Sequence, residues 1–372
     1  MTLEVATRRW PRRAAYFGVA GLAVLLPTGS AGASWFLANQ VINVDAARMY
    51  PIRVRGFSGN RVTLSRSPDT ARSMPVSFVW PTGHAQLGPV VAIDRATVVR
   101  EVTEITRGSL QAGIRGYTSS YVYEGNPRVD FQDVSVPSAL GPMPAWFVPG
   151  SASSDVWVIA IHGRGAPRGE ALRILPALAA HPTLVVTYRN DEGAPSSPDR
   201  MFHLGDTEWQ DALAAIRYAR SQGARGVILY GWSMGGAIAL MTLRRWAHSG
   251  FVRGLILDSP VVDWTETLQL NGRMLNIPSA WTWTALRIIE RRLRVRLSTL
   301  DHRPYAARLD VPTLMIVDHD DAVVAPGPML EFAASRPDLV TLYSTRDAGH
   351  CRSWNLDPAG YESAVKAFLA TL

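Results

Sequence analysis

The part of the chain after Phe131 alternates short apolar runs with longer helical patterns, and this rhythm constrains the fold more than any other feature. Such alternation is typical of a parallel sheet covered by helices, so we expect an α/β domain over residues 131–372. One of its helices is expected from Asp206 to Gln222, with Thr207 and Gln210 forming a capping box. The apolar runs are 156–161, 183–188, 226–230, 254–258, 313–317 and 340–344.

One connection in this pattern is far longer than an ordinary loop. About fifty residues separate Asp258 from Thr313, and the segment of about 261–310 predicts a helical cap that folds over the body. Its apolar helical face carries Leu286, Ile289, Leu293 and Leu297, and another face carries Arg287, Arg291 and Arg294. We favour a cap helix packed on the body, with an interfacial membrane contact as the alternative. Trp264, Trp281 and Trp283 either line an acyl pocket or fill the core of the cap.

Residues 45–130 have a different pattern. Short alternating segments such as Arg61–Ser65, Val76–Trp80 and Val90–Ile93 are separated by turns rich in glycine and proline. Alternation with turn residues between segments indicates β structure. We therefore expect a small β-rich accessory region, in which no chemical motif is recognisable.

The first 44 residues resemble an export signal or a membrane anchor. Four arginines at positions 8, 9, 12 and 13 precede an uncharged stretch from Ala14 to Val44. An apolar segment ending near Leu26, followed by Ala31-Gly32-Ala33, is typical of a cleaved signal peptide. If the helix instead continues to Leu37 it is long enough to span a bilayer, with the arginines on the cytoplasmic side. We expect export and favour a retained anchor with the catalytic domain outside the cytoplasm, while cleaved secretion stays open. A buried core helix is a further alternative, which we disfavour because such a helix rarely follows four arginines at the extreme N-terminus.

Composition excludes several classes of protein. The 38 basic and 31 acidic residues give a net charge of +7, and no basic block with interleaved aromatic residues indicates a nucleic-acid partner. The single cysteine, Cys351, excludes an intramolecular disulfide and a cysteine-built metal site. No ligand cluster or glycine-rich phosphate loop is present, so we expect no metal or organic cofactor.

The strongest chemical motif surrounds Ser233. Gly231-Trp232-Ser233-Met234-Gly235 follows the apolar run 226–230 directly and opens a helix-compatible stretch. A serine on a sharp strand-to-helix turn is held in a strained conformation and exposed at the carboxyl edge of the sheet, with small residues needed at the flanking positions. A serine hydroxyl becomes a useful nucleophile only with a neighbouring base, which in turn needs a carboxylate to orient it.

Candidates for both partners follow later strands. The acid is expected in the turn after the run 313–317, where we favour Asp321, and the alternatives are Asp318, Asp320 and Asp258. The base is expected to be His350, the one histidine that follows the last strand. Because the turn already supplies a serine, we interpret Cys351 as a bystander.

A second loop at the same sheet edge is expected to help bind the oxyanion. It contains His162-Gly163-Arg164 after the first strong strand, and the backbone N–H groups of Arg164 and Met234 are the expected donors. His162 is expected to shape this loop by packing and hydrogen bonding rather than to transfer protons. Asp191, in a turn after another strand, is a further polar residue expected near this edge.

Together these residues resemble the α/β-hydrolase superfamily, in particular exported or membrane-anchored serine hydrolases of high-GC bacteria with a β-rich extension. The resemblance covers roughly residues 131–372. It implies a triad of Ser233, Asp321 and His350, although Asp318 stands where the family often has glycine.

The expected activity is cleavage of a carboxylic ester, and less readily of an amide or peptide, through an acyl-enzyme intermediate. The substrate is expected to be a small-molecule or lipid-like acyl compound, and the N-terminal segment is expected to contact a membrane. Two alternatives stay open: an acyltransferase that uses the same triad, and a surface protein on a hydrolase body without activity.

Overall fold

The computed structural model describes residues 29–46, 48–120, 129–151, 154–246 and 250–372. The arginine cluster and most of the apolar stretch of the expected export segment therefore lie outside the described residues. Among the residues that are described, no helix is both long and apolar enough to cross a membrane.

Eight strands form one sheet in the order β14-β13-β12-β11-β9-β10-β8-β7. They are β7 Gln132–Ser138, β8 Gly141–Val148, β9 Val156–Ile161, β10 Thr183–Val186, β11 Gly226–Trp232, β12 Val252–Asp258, β13 Thr313–Asp318 and β14 Val340–Thr345. Strands β9 to β14 run parallel, while β7 and β8 form an antiparallel edge. The mostly parallel sheet predicted from the apolar runs is confirmed.

Helices cover both faces of this sheet. They are α3 Trp209–Ser221, α4 Met234–Arg245, α8 Pro326–Ser335, α9 Ser353–Leu356 and α10 Pro358–Leu369. Side chains alternate between the faces of each strand, so Ile159 packs in the core that contains α3 and α4, and Val158 in the core that contains α10. Both of these β9 side chains are fully buried.

The capping box expected before α3 is wrong. The residue before α3 is Glu208, whose side chain makes no capping bond to the helix and instead accepts hydrogen bonds from the backbone N–H groups of His203 and Gly205. The hydroxyl of Thr207 is buried without a hydrogen-bond partner. The chain approaches α3 through tight turns, so Thr207 already lies within a turn rather than at the helix boundary.

The β-rich region folds into a closed barrel with the strand order β1-β2-β5-β4-β3-β6. Its elements are β1 Ile52–Ser58, β2 Arg61–Ser65, α2 Pro68–Ala71, β3 Val76–Trp80, β4 Gly83–Ile93, β5 Thr97–Arg107 and β6 Arg115–Ser119. Closure leaves no free sheet edge. A fully buried arginine, Arg100, donates to the carbonyls of Thr70, Arg72, Met74 and Gly88, and so fixes the segment around α2.

The cap contains α5 Trp264–Met274, α6 Ser279–Leu293 and the short helix α7 Arg303–Ala306. As predicted, Leu286, Ile289 and Leu293 are buried. Another helix, α1 Gly29–Ile42, packs against α6: the Ser34 hydroxyl donates to the carbonyl of Trp281 at 3.0 Å, and Arg292 donates to Asn39 at 2.5 Å. The last third of the segment interpreted as a signal or an anchor is therefore part of the cap.

Candidate active site

Ser233 lies at the turn between β11 and α4, with φ 52° and ψ −117°. A β-carbon on Gly235 would lie 2.0 Å from the carbonyl oxygen of Ile161, and one on Gly231 would lie 2.5 Å from the backbone of Gly235. Only residues without a β-carbon fit these positions, which explains the glycines of the motif. The strained turn directs the serine to the carboxyl edge of the sheet.

The structure brings Ser233, His350 and Asp321 together. The His350 Nε2 atom lies 2.9 Å from Ser233 Oγ, and Nδ1 lies 2.7 Å from Asp321 Oδ2. Because a carboxylate only accepts hydrogen bonds, Nδ1 carries the proton and Nε2 accepts from the serine hydroxyl. Burial alone would lower the pKa of His350, but the Asp321 carboxylate raises it above its ordinary value.

The three alternative carboxylates have other partners. Asp318 accepts hydrogen bonds from the N–H groups of Ala348 and Gly349 and from the Thr345 hydroxyl, and so organises the loop that carries the histidine. Asp320 accepts from the N–H of Asp347. Asp258 is fully buried and accepts from the hydroxyls of Tyr361 and Ser259. Of the four candidates in the described residues, Asp321 is the one bonded to His350.

The loop after β9 is held from three sides. The carbonyl of Gly163 accepts from His162 Nδ1 at 2.8 Å and from the Tyr188 hydroxyl at 2.9 Å. The N–H of Gly163 donates to the buried carboxylate of Glu170 at 2.7 Å. A β-carbon on Gly163 would lie 3.2 Å from the β-carbon of Ser233, so this loop closely approaches the serine and presents Arg164 beside it.

His162 is buried and bonded rather than free to exchange protons. Its Nδ1 atom donates to the carbonyl of Gly163 and its Nε2 atom to Asp191 at 2.8 Å, so both nitrogens carry protons and the ring is an imidazolium paired with Asp191. The ring also stacks on Tyr188 with the centroids 4.5 Å apart. Burial alone would lower the pKa of His162, but Asp191 raises it above its ordinary value. Asp191 thus reaches the loop through His162 and is not bonded to the histidine beside Ser233.

Cys351 lies next to His350 but is buried, with its sulfur 3.6 Å from His350 Nε2. Burial raises the pKa of its thiol well above the ordinary value, so the thiolate needed for nucleophilic attack is disfavoured. Its N–H donates to the Ser259 hydroxyl at 3.2 Å, which fixes the backbone just after the histidine.

An apolar cavity of about 270 Å³ opens at Ser233 and His350. The cap supplies much of its wall, including Trp264, Leu268, Leu275, Ala285, Leu286 and Ile289. Helix α1 closes another side with Phe36, Leu37 and Val41. Trp264 lines this cavity, and its indole N–H donates to the carbonyl of Leu204 at 2.9 Å, whereas Trp283 is 59% exposed.

A second cavity, of about 200 Å³, meets the first at Ser233, His350, Arg164 and Val323. One of its walls is the loop after β9 together with Glu170, Cys351 and Arg352. The other wall is the end of the barrel, residues 117–120. The barrel is tied to the loop of the histidine by Arg352, which donates to Asp69 and to the carbonyl of Thr118.

The sequence did not reveal that α1 and the barrel line these cavities. In the sequence, Phe36 only continues the apolar stretch of the expected anchor, and residues 117–120 carry no recognisable motif. Glu170 was also missed, because a glutamate in a loop gives no local signal of a backbone partner seven residues earlier. Among the described residues, no cluster of three or more histidine, cysteine, aspartate and glutamate side chains has the arrangement of a metal site.

Comparisons with solved structures agree on the fold of the catalytic body. An esterase of Pyrococcus furiosus is 20% identical over 65% of this chain and 91% of its own, with a TM-score of 0.52. A proline iminopeptidase-related protein of Thermus thermophilus is 17% identical over 66% of this chain and 99% of its own, with a TM-score of 0.51. A search of curated proteins finds no match.

Two family models match separate parts of the chain. Residues 53–119, which form the barrel, match a domain of unknown function, DUF8805. Residues 147–364, more than half of the chain, match the model described as the alpha/beta hydrolase family. The chain therefore belongs to the alpha/beta hydrolase family.

Proposed function

We propose that this protein is a serine hydrolase that cleaves a carboxylic ester of an apolar acid through an acyl-enzyme intermediate. The observation that carries the proposal is the hydrogen-bonded chain from Ser233 through His350 to Asp321 at the junction of two cavities. Nucleophile, base and orienting carboxylate in this order are the arrangement that acyl transfer requires.

In the first half-reaction Ser233 Oγ attacks the ester carbonyl while its proton passes to His350 Nε2. The tetrahedral oxyanion accepts hydrogen bonds from the backbone N–H groups of Met234 and Arg164, each worth about 10²–10³ in rate. The C–O bond to the alcohol then breaks, and the departing oxygen takes the proton from Nε2. Water repeats these steps on the acyl-enzyme, releases the acid and restores the serine.

The apolar cavity supports an acid with a hydrocarbon chain. Its volume is about 270 Å³, and its wall is mostly aliphatic and aromatic. Burying hydrocarbon against such a wall stabilises a bound acyl chain by about 0.8 kcal/mol per methylene. An amide of the same acid fits the cavity equally well, but its poorer leaving group makes the ester the favoured substrate.

We also propose that the enzyme is exported and works on the surface of an anionic membrane. Trp35 and Trp283 are 50% and 59% exposed on α1 and α6, and the guanidinium groups of Arg292 and Arg287 stack over them. Aromatic side chains favour the interface of a bilayer, and arginines favour anionic headgroups, although the charge of Arg287 is partly compensated by Glu290 at 2.6 Å. Phe36 is exposed on the same helix as Trp35 and also lines the acyl cavity, which gives a lipid-derived acyl chain a short route to Ser233.

The test is labelling with a fluorophosphonate probe combined with turnover of p-nitrophenyl octanoate. Wild type and the control Ser335→Ala, whose hydroxyl bonds only within its own helix, should label and turn over the ester. Ser233→Ala should do neither and should keep the thermal unfolding temperature of the wild type. Labelling of Ser233→Ala, or unchanged turnover by this variant, would contradict the proposal.

Transfer of the acyl group to an alcohol and an inactive hydrolase body are the remaining alternatives. Addition of glycerol to the same assay separates them. If free acid is still released at an unchanged rate, the protein is a hydrolase. If a glyceryl ester forms instead of free acid, the protein is a transferase. If the wild type neither labels nor turns over the ester, the protein has no such activity.

A further inference from the structure

The apolar cavity can hold the acyl chain, so the second cavity is not needed for it. An ester carbon attached to Ser233 carries two organic substituents, the acyl chain and the alkoxy group that leaves. Two cavities meet at Ser233 and His350, and the apolar one suits the acyl chain. The other is therefore placed to receive the alkoxy group, whose oxygen must lie near His350 Nε2 to take up its proton.

We propose that the β-barrel forms the alcohol subsite of this enzyme, and that the subsite takes a small, neutral alcohol with several hydroxyl groups. The proposal rests on the proposed ester hydrolysis and names its substrate class: an ester between a hydrocarbon acid and a compact polyol such as glycerol. It also gives a function to the barrel, which would contribute residues to the active site instead of serving only as a scaffold.

The chemistry of the barrel wall supports a polar ligand. Four consecutive residues that carry hydroxyl groups, Tyr117, Thr118, Ser119 and Ser120, line the cavity. Successive side chains of β6 point to opposite faces, so only some of these hydroxyls face the cavity, and that of Thr118 already accepts from Arg352 at 3.2 Å. The apolar cavity has no comparable run. Hydroxyl groups both donate and accept, so a wall of this kind matches an alcohol whose own hydroxyls do the same.

The charges around the cavity favour a neutral ligand over an anionic one. Arg352 is paired with Asp69, so its charge is already compensated. Arg164 directs one guanidinium nitrogen to the carbonyl of Gln40, on the side of the acyl cavity. Glu170 adds a carboxylate to the wall. With Arg352 paired, the charged side chains left in the described lining are Arg164 and Glu170, which are opposite in sign, so the cavity offers an anion no net positive charge.

The barrel wall is fixed relative to the reacting groups, as a subsite requires. Arg48 donates to the Tyr117 hydroxyl at 3.0 Å and to the carbonyl of Gly165 at 2.6 Å, which joins the barrel to the loop that carries Arg164. Since the Tyr117 oxygen accepts from Arg48, its own proton remains available to a ligand. The buried Arg173 donates to the carbonyl of Ser120 at 3.4 Å and holds the end of the wall.

The experiment compares two esters of one acid, 1-octanoylglycerol and ethyl octanoate. The acyl chain is identical, so the ratio of their kcat/KM values reports only on the alcohol subsite. The variants are Tyr117→Phe and Ser120→Ala, and the control is Tyr50→Phe, which removes a tyrosine hydroxyl beside Tyr117 but outside the cavity. Each variant is checked for an unchanged thermal unfolding temperature.

Wild type and Tyr50→Phe should prefer the glyceryl ester. Each subsite variant should lower this preference about two- to tenfold, the worth of one hydrogen bond, while ethyl octanoate is cleaved at the wild-type rate. Equal loss on both esters, no loss on either, or a wild type without preference would overturn the proposal while ester hydrolysis stands. A wild type that cleaves neither ester and fails to label at Ser233 would overturn the proposed function as well.

Discussion

The choice of Asp321 among four carboxylates leads to a prediction whose size follows from the geometry. Asp321 Oδ1 accepts from the N–H groups of Val323 and Val324 at 2.8 and 2.9 Å, and Oδ2 accepts from His350. In Asp321→Asn the two N–H groups hold the amide oxygen at the Oδ1 position, so the amide nitrogen must face His350. That nitrogen donates, so Nδ1 loses its proton and Nε2 gains one.

A protonated Nε2 cannot accept the proton of Ser233, so kcat should fall about 10⁴-fold, or about 5.5 kcal/mol of transition-state stabilisation. The matched control is Asp318→Asn, which loses bonds to the loop but no bond to His350. It should lose about 1–3 kcal/mol of stability and much less activity. Stopped-flow or spectrophotometric turnover of p-nitrophenyl octanoate and thermal unfolding measure both quantities.

The pH dependence supplies an independent readout. General-base catalysis needs neutral His350, and Asp321 raises the pKa of this histidine, so wild-type kcat/KM should fall as the pH drops through a value above 6.5. Removing the carboxylate charge lowers that pKa, so the acid limb of the residual activity of Asp321→Asn should move to lower pH. An equal loss of kcat in Asp318→Asn, or a loss under tenfold in Asp321→Asn, would refute the assignment.

Three further predictions concern the surroundings of the site. Ala285→Phe should fill the acyl cavity. The value of kcat/KM should then fall at least about tenfold for p-nitrophenyl octanoate and stay near that of the wild type for p-nitrophenyl acetate. An equal loss on both esters would argue against binding of the acyl chain in this cavity. Cys351→Ala should keep kcat within about twofold of the wild-type value, since its buried thiol is not expected to act as the nucleophile. A larger loss of kcat with the same ester would contradict the interpretation of Cys351 as a bystander. The double variant Trp35→Ala and Trp283→Ala should bind phosphatidylglycerol vesicles about tenfold more weakly in a sedimentation assay, with unchanged turnover of a soluble ester. Unchanged sedimentation would contradict the proposed contact of these residues with a membrane.

The sheet could be predicted closely because its signal is local. The expected run 156–161 coincides with β9, and the runs 313–317 and 340–344 differ from β13 and β14 by one residue each. Strands β9 and β13 are buried on both faces and must be apolar almost throughout, so their limits are visible where polar residues begin. The edge strand β14 is largely exposed, and its limits follow from its alternating β-branched and aromatic residues instead. In the β-rich region the expected strands 61–65 and 76–80 coincide with β2 and β3.

The surroundings of Ser233 were less predictable, because they depend on contacts between distant segments. Closure of the barrel joins β6 to β1, more than fifty residues apart, and no local pattern encodes that pairing. The same holds for Tyr117, whose position beside the loop after β9 depends on Arg48 and Gly165. Alternation of apolar and polar residues predicts that a segment is a strand. It does not predict which part of another domain the end of that strand will contact.

Helix α1 shows how one composition can satisfy two different requirements. An uncharged, apolar segment with aromatic residues meets the criteria for a membrane anchor, and the same properties suit a helix that covers an acyl cavity. Here Leu37 and Val41 line the cavity, while Trp35 faces outward with Arg292. A cut at the sequence Ala31-Gly32-Ala33 would fall within α1, whereas its cavity-lining residues all follow the cut. After such a cut these residues would still be held by the contacts of α1 with α6, by the bond of Arg164 to the carbonyl of Gln40 and by the bond of the Phe202 N–H to the carbonyl of Ile42. Retention of the N-terminal segment therefore bears on localisation more than on the shape of the apolar cavity.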